Sequence, residues 1–312
     1  MNIGVPPSQP SPLGTATTTA NADEDATEGT HWGAGPAFLA LIATFGVTLF
    51  VGIPALLIGE DTTTGEIVGN AVSSVLQNAA FVAIPVLILA LLMVGPLRRR
   101  DFGLVVPQRK WVFVGLIVAA FFAYLVLAAG LGVLLGIEGE QDDLPEKLGA
   151  KETVLAGLVI AFCVTVFAPI GEEFLLRGVL FPGLRNSLSR VSPMWVAIAI
   201  AAIVDGILFG ALHVAGSKAI FLPVLALFGV ILCLLYQFTG SLYAPIVLHA
   251  TNNTIAITNA LDWKFHSGVI LWVVALCSLA LIGWIVKRLG VTVGPLGRGR
   301  PEPAEAGEAS GT

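Results

Sequence analysis

The sequence predicts an all-α protein, a polytopic transmembrane bundle of about eight helices, and three observations carry that prediction. Hydrophobic residues make up 56% of the chain and charged ones 12%, where a soluble domain carries about 25% charged residues. The mean hydropathy is +0.88, and the apolar residues gather into uncharged blocks of about 20, the length a helix needs to cross ~30 Å of hydrocarbon. The blocks are long and show no two-residue alternation, so they read as helices and not as barrel strands, the only other structure that satisfies every backbone group in lipid. The same composition excludes a nucleic-acid binder, a disordered acidic protein and an ordinary water-soluble enzyme. The net charge of −5 sits in tails and loops and points to no partner.

Residues 1–36 are rich in Pro, Ser, Thr, Ala and Gly, carry Asp23, Glu24, Asp25 and Glu28, and contain no Lys or Arg. Without a basic n-region this segment is not a signal peptide and reads as a retained, disordered tail. The transmembrane domain then runs over 37–287, in apolar blocks at 37–58, 75–97, 111–137, 153–176, 194–213, 219–238, 241–260 and 268–287. A Gly- and Pro-rich segment, 288–312, reads as a second disordered tail. The fourth block is ambiguous. From Thr153 to Ser189 a single helix would measure about 55 Å at 1.5 Å per residue, too long for one straight crossing. Either Pro169 and Gly171 kink it, or 153–170 and 172–190 are separate crossings, which gives nine. The reading adopted is eight, with a long, kinked fourth helix. Cys163, Cys233 and Cys277 each lie inside an apolar block without CxxC spacing, and read as small buried apolar residues.

Loop charges suggest an orientation. Arg98, Arg99, Arg100, Arg109 and Lys110 lie between the second and third blocks. The flanking loops are acidic, with Glu60, Asp61 and Glu66 before and Glu138, Glu140, Asp142, Asp143 and Glu146 after. Positive loops stay cytoplasmic. Alternation places Arg185, Arg190, Lys287, Arg288, Arg298 and Arg300 on that side too, with both termini.

Ionisable side chains inside such helices are costly and are functional candidates. Glu172 and Glu173 follow a long charge-free stretch. Glu173 and Arg177 are four apart and share a helix face, so they can pair. Glu172 points elsewhere, without an obvious local partner, which is the profile of a general base; the bland alternative is a helix turning polar at the interface. Asp205, Phe209 and His213 form a stripe at spacings of four. Asp205 there reads as a hydrogen-bonding residue toward a neighbouring helix, and His213 alone could be interfacial. His249 and Asn253, again four apart, sit in the middle of the seventh block, where interhelical hydrogen bonding is the alternative use. His266, beside Trp263 and Lys264, and His31 read as solvated. The midpoint between Glu172 and His213 falls near Ser192-Pro193, a natural turn. Folding there brings the two to one height, with His249 and Asn253 from a third helix, as bundle-core sites are built.

Taken together, Glu172-Glu173-x-x-x-Arg177, Phe209-x-x-x-His213 and His249-x-x-x-Asn253 resemble the pattern of the CAAX protease and bacteriocin-processing intramembrane proteases, which include the type II CAAX prenyl endopeptidases. The resemblance covers roughly 153–260. It implies an intramembrane endopeptidase in which Glu172 and His213 activate a water, His249 and Asn253 stabilise the oxyanion, Glu173 and Arg177 shape the site and Phe209 packs beside His213. It also leaves zinc open, with Glu172, His213 and His249 as ligands. His-Glu-x-x-His is absent, and a metal-free glutamate mechanism fits these residues equally well.

The implied setting is a bacterial plasma membrane. The implied partners are membrane lipid and a membrane-associated peptide or protein, whether a prenylated CAAX-like protein, a bacteriocin or a leader peptide, with no nucleic acid. Two other classes fit less well. A proton-coupled transporter would also bury carboxylates and histidines, but no internal repeat with paired interrupted helices is seen. A catalytically silent scaffold or immunity protein would not need the full motif set.

Overall fold

The computed structural model describes residues 32–51, 53, 63–93, 95–137, 140, 144–290, 292–294 and 296. Eight long helices stand out among them: α1 (Ala34–Val51), α2 (Thr63–Leu92), α3 (Lys110–Leu135), α4 (Val154–Leu188), α5 (Met194–Leu212), α6 (Leu222–Thr239), α7 (Tyr243–Ala260) and α8 (Phe265–Leu289). Seven of these are long and apolar enough to cross a membrane. The exception is α7, in which His249, Thr251, Asn252, Asn253, Thr254 and Thr258 dilute the apolar residues.

Helix α4 is the centre of the bundle. Half of its most apolar window is buried inside the protein, against 6% in α3 and α8. The outer helices instead present side chains such as Trp111, 89% exposed, and Leu134, 83% exposed, the surface that lipid covers. α4 is one continuous helix, so the nine-crossing alternative does not arise. Its irregularity takes the form of two π-helical segments, Cys163–Phe167 and Phe174–Leu180. Each lies just before a proline, Pro169 or Pro182. A proline removes an N–H and crowds the carbonyl one turn back, and a wider turn relieves both.

Helices α5 and α6 make the closest approach. Added at Gly206, a Cβ would stand 2.6 Å from the Ala226 carbonyl oxygen, and at Gly229 it would stand 2.7 Å from Gly206 Cα. Small residues allow such backbone contact in membrane bundles.

The connections sort onto two faces. On one, Leu97–Arg98 (β1) pairs antiparallel with Thr292–Val293 (β2). There too Leu242 N–H donates to the Gly103 carbonyl at 2.7 Å, the Ser241 hydroxyl donates to Val105 O at 2.7 Å, and Asn186 donates to the Trp32 carbonyl at 3.2 Å. On the other, Lys147 Nζ donates to Gly216 O at 2.8 Å and Lys218 pairs with Glu140 at 3.1 Å. The first face carries the Arg98–Arg100 cluster, Arg185, Arg190, Lys287 and Arg288, the same grouping that the charge pattern suggested.

Three expectations change. The tail placed at 1–36 lies outside the described residues as far as His31, but Trp32 is 1% exposed and its indole N–H donates to Val179 O at 2.9 Å, so residues 32–36 belong to the folded bundle. The tail placed at 288–312 lies outside them from residue 297, yet Arg288 and Leu289 complete α8 and 292–293 form β2. Cys163 and Cys233 are buried as expected, whereas Cys277 is exposed on the outer side of α8.

Candidate active site

The site grows from the second half of α4. Glu173 and Arg177, one turn apart, are both fully buried, and Arg177 Nη1 donates to Glu173 Oε1 at 3.0 Å. The guanidinium uses its other atoms on α5 and α6. Nη2 donates to the Gly229 carbonyl at 2.8 Å, and Nε lies 3.2 Å from Asp205 Oδ1. Gly229 matters here because a side chain at that position would come within 3.1 Å of Nη2. Asp205, also fully buried, accepts from the Cys233 thiol at 3.1 Å. One cation is thus held between two carboxylates and a backbone carbonyl, the kind of pairing that makes buried charge tolerable.

This cluster fixes a histidine. Nδ1 of His249, from α7, lies 2.8 Å from Glu173 Oε1. A carboxylate acceptor there selects an Nδ1–H donor and orients the ring. Nε2 is then the free edge, and it faces Glu172 Oε2 at 4.0 Å. That oxygen makes no hydrogen bond among the described residues, and the Glu172 side chain is 14% exposed where Glu173 is sealed. Aromatic rings wall the pair. The Phe209 ring centroid lies 5.5 Å and that of Phe228 5.7 Å from the His249 ring, and the Arg177 guanidinium sits 4.8 Å over Phe209.

His213 closes α5 and is partly exposed. Its ring centroid lies 4.9 Å from that of Phe209, and Nδ1 lies 2.8 Å from the Phe209 carbonyl. No hydrogen bond or ion pair links it to Glu172 among the described residues. The backbone at His213 has left the helix (φ −94°, ψ 0°), and its ring folds back on its own last turn. Asn253 donates from Nδ2 to the Val164 carbonyl on α4 at 2.8 Å.

The structure therefore gathers Glu172, Glu173, Arg177, Phe209 and His249 directly. His213 joins through Phe209, and Asn253 joins through the α4 backbone. Asp205 has the interhelical hydrogen bond expected of it, to Cys233, and in addition the ion pair with Arg177. The signal for that second role was its place two turns before His213 on one stripe. Phe228, Gly229 and Cys233 carried no signal, being apolar or small residues in an apolar helix. Zinc would need its donors around one point. Among the described residues no three His, Cys, Asp or Glu side chains are so placed, and the nearest candidates are the facing pair Glu172 and His249.

Comparison with known proteins bears on this region. Residues 154–255 match the family model described as "Type II CAAX prenyl endopeptidase Rce1-like". A curated relative, "Membrane-embedded CAAX protease MroQ" of Staphylococcus aureus (strain USA300), is 32% identical over 101 residues, covering 32% of this chain and 38% of the relative. The match thus spans well under half of that protein's length. No solved structure matches. The matched segment contains α4 to most of α7, and so every residue of the cluster. Over residues 154–255 the chain is thus similar to the Rce1-like type II CAAX prenyl endopeptidases, and this segment is set in an integral, multi-pass membrane protein.

Proposed function

We propose that this protein is an intramembrane endopeptidase that hydrolyses a peptide bond of a membrane-associated polypeptide, with Glu172 as general base. The observation that carries this reading is the facing pair of Glu172 Oε2 and His249 Nε2, 4.0 Å apart, one of them without a hydrogen bond and the other aimed by Glu173. Such a pair can share one water. Glu172 takes a proton from that water as its oxygen attacks the peptide carbonyl carbon. The tetrahedral oxyanion is met at the Nε2 edge of His249, whose ring Glu173 orients from the opposite edge. Fixed donors of this kind give the largest single contribution to such reactions. The proton held by Glu172 passes to the departing amine as the C–N bond breaks. His213, packed on Phe209, and Asn253, held to Val164, take supporting roles at the edge of the site. No step is routed through zinc, since among the described residues no three-donor set supports one.

The relative named above is a CAAX protease by name. A prenylated CAAX-like protein, a bacteriocin and a leader peptide are therefore the substrate classes to test. The purified full chain, reconstituted in lipid, is offered a fluorogenic peptide library with and without EDTA. Cleavage by the parent protein and its loss in Glu172→Gln, with the fold retained, is the expected result. Full activity in that variant refutes the role given to Glu172. Loss of activity with EDTA and recovery with Zn²⁺ would replace the metal-free route.

A further inference from the structure

The polar residues of the site are not centred in the bundle. The sealed members, Glu173, Arg177 and Asp205, lie deepest. Of the three partly exposed members, His213 and Asn253 are displaced toward the face that holds the 144–153, 213–218 and 261–264 connections, and Glu172 sits one residue to that side of the sealed Glu173. His213 is the first residue after α5, and Val214 beside it is 65% exposed. Asn253 reaches Val164, about 12 Å nearer that face than Glu172 along α4 at 1.5 Å per residue. In the opposite direction the bundle is filled. Phe102, Phe181, Tyr236 and Leu242 are buried on that side of Arg177, with the Phe102 ring centroid 4.8 Å from that of Phe174 and those of Phe181 and Tyr236 6.1 Å apart. No polar side chain of the site breaks through that floor.

Charge distinguishes the two faces. The plugged face carries Arg98, Arg99, Arg100, Arg109, Lys110, Arg185, Arg190, Lys287 and Arg288, with Asp101 as the acid among its described loop residues. Among the described residues the open face carries Lys147, Lys151, Lys218 and Lys264 with Glu140, Glu152 and Asp262. Excess Lys and Arg in short loops fixes the cytoplasmic side. We propose that the site opens on the extracytoplasmic face of the membrane, and that its substrate is a polypeptide segment presented on that side. The substrate half of this statement rests on the endopeptidase reading, and the orientation half does not.

Single cysteines test it in the full chain, in a Cys277→Ser background that removes the exposed native thiol. Val214→Cys and Lys264→Cys report the open face; Gln108→Cys and Val191→Cys report the basic face. Intact cells are treated with a membrane-impermeant sulfonated maleimide, then permeabilised and treated again, with a cytoplasmic thiol protein as the leak control. The expected result is at least 10-fold more labelling of Val214→Cys and Lys264→Cys than of the other pair in intact cells, with the other pair labelled only after permeabilisation. The reverse pattern, equal labelling of both pairs with the control unlabelled, or no labelling of the open-face pair until permeabilisation would each overturn the proposal. Labelling needs no activity. The expected pattern in a chain that cleaves nothing would leave the orientation standing and remove the endopeptidase reading alone.

Discussion

The side-chain amide of Asn253 donates to the backbone carbonyl of Val164 at 2.8 Å, across 89 residues of sequence. The reason lies in α4. Ala168 N–H bonds to Cys163 O in the π register, so it does not serve Val164. The next residue that could serve Val164 in that register is Pro169, which has no N–H. A carbonyl orphaned inside an apolar bundle costs about 1–3 kcal/mol, and Asn253 removes that cost. Asn253→Ala is expected to lower stability by about that amount, and Pro169→Ala, by restoring a donor, to recover part of the loss in the double variant. Unfolding of the four proteins in mild detergent, read as a double-mutant cycle, measures this; strictly additive effects would remove the link between the two residues.

Arg177 is the cation on which the deep cluster depends. Arg177→Ala leaves Glu173 and Asp205 buried without their counter-charge, a loss of about 3–5 kcal/mol, and is expected to yield little folded protein. Arg177→Lys keeps the charge but cannot serve Glu173, Asp205 and the Gly229 carbonyl together, so it should fold with a lower unfolding midpoint. A midpoint equal to the parent's in Arg177→Lys would show that the fork geometry is dispensable.

Glu172 and Glu173 are adjacent, yet their replacement should read out differently. Glu172 Oε2 makes no hydrogen bond among the described residues, so Glu172→Gln is expected to change stability by less than about 0.5 kcal/mol while removing cleavage. Glu173 holds both Arg177 and His249, so Glu173→Gln should lose stability and activity together. Parallel thermal unfolding and peptide cleavage separate the two; a large stability loss in Glu172→Gln would place it in the structural cluster.

Gly229 tests the packing under the site. A Cβ there would stand 2.7 Å from Gly206 Cα and 2.9 Å from Phe209 Cβ, both on α5. Gly229→Ala is expected to cost about 1–3 kcal/mol by overpacking, even though alanine is the better helix former. Circular dichroism with thermal unfolding checks this, and an unchanged or raised midpoint would mean that α5 and α6 can separate freely.

Much of this molecule could be read before any coordinates. The eight helices follow from block length and hydropathy, because lipid demands long apolar helices whatever their neighbours. The pairing of Glu173 with Arg177 follows from a spacing of four on one helix. The charge asymmetry of the loops is equally local. What the sequence could not determine depends on how the helices meet. It suggested Glu172 with His213, from their matched distances to the Ser192-Pro193 turn. In the folded chain His249 faces Glu172, and His213 bonds to its own helix. The second role of Asp205, as the other anion of Arg177, needed α4 and α5 side by side. The use of Asn253 needed a π turn that no local pattern announces. Helix formation is driven by each segment's exchange of water for lipid, which sequence alone reports. The partners of buried polar atoms are set by which helix faces come together, and only the tertiary structure decides that.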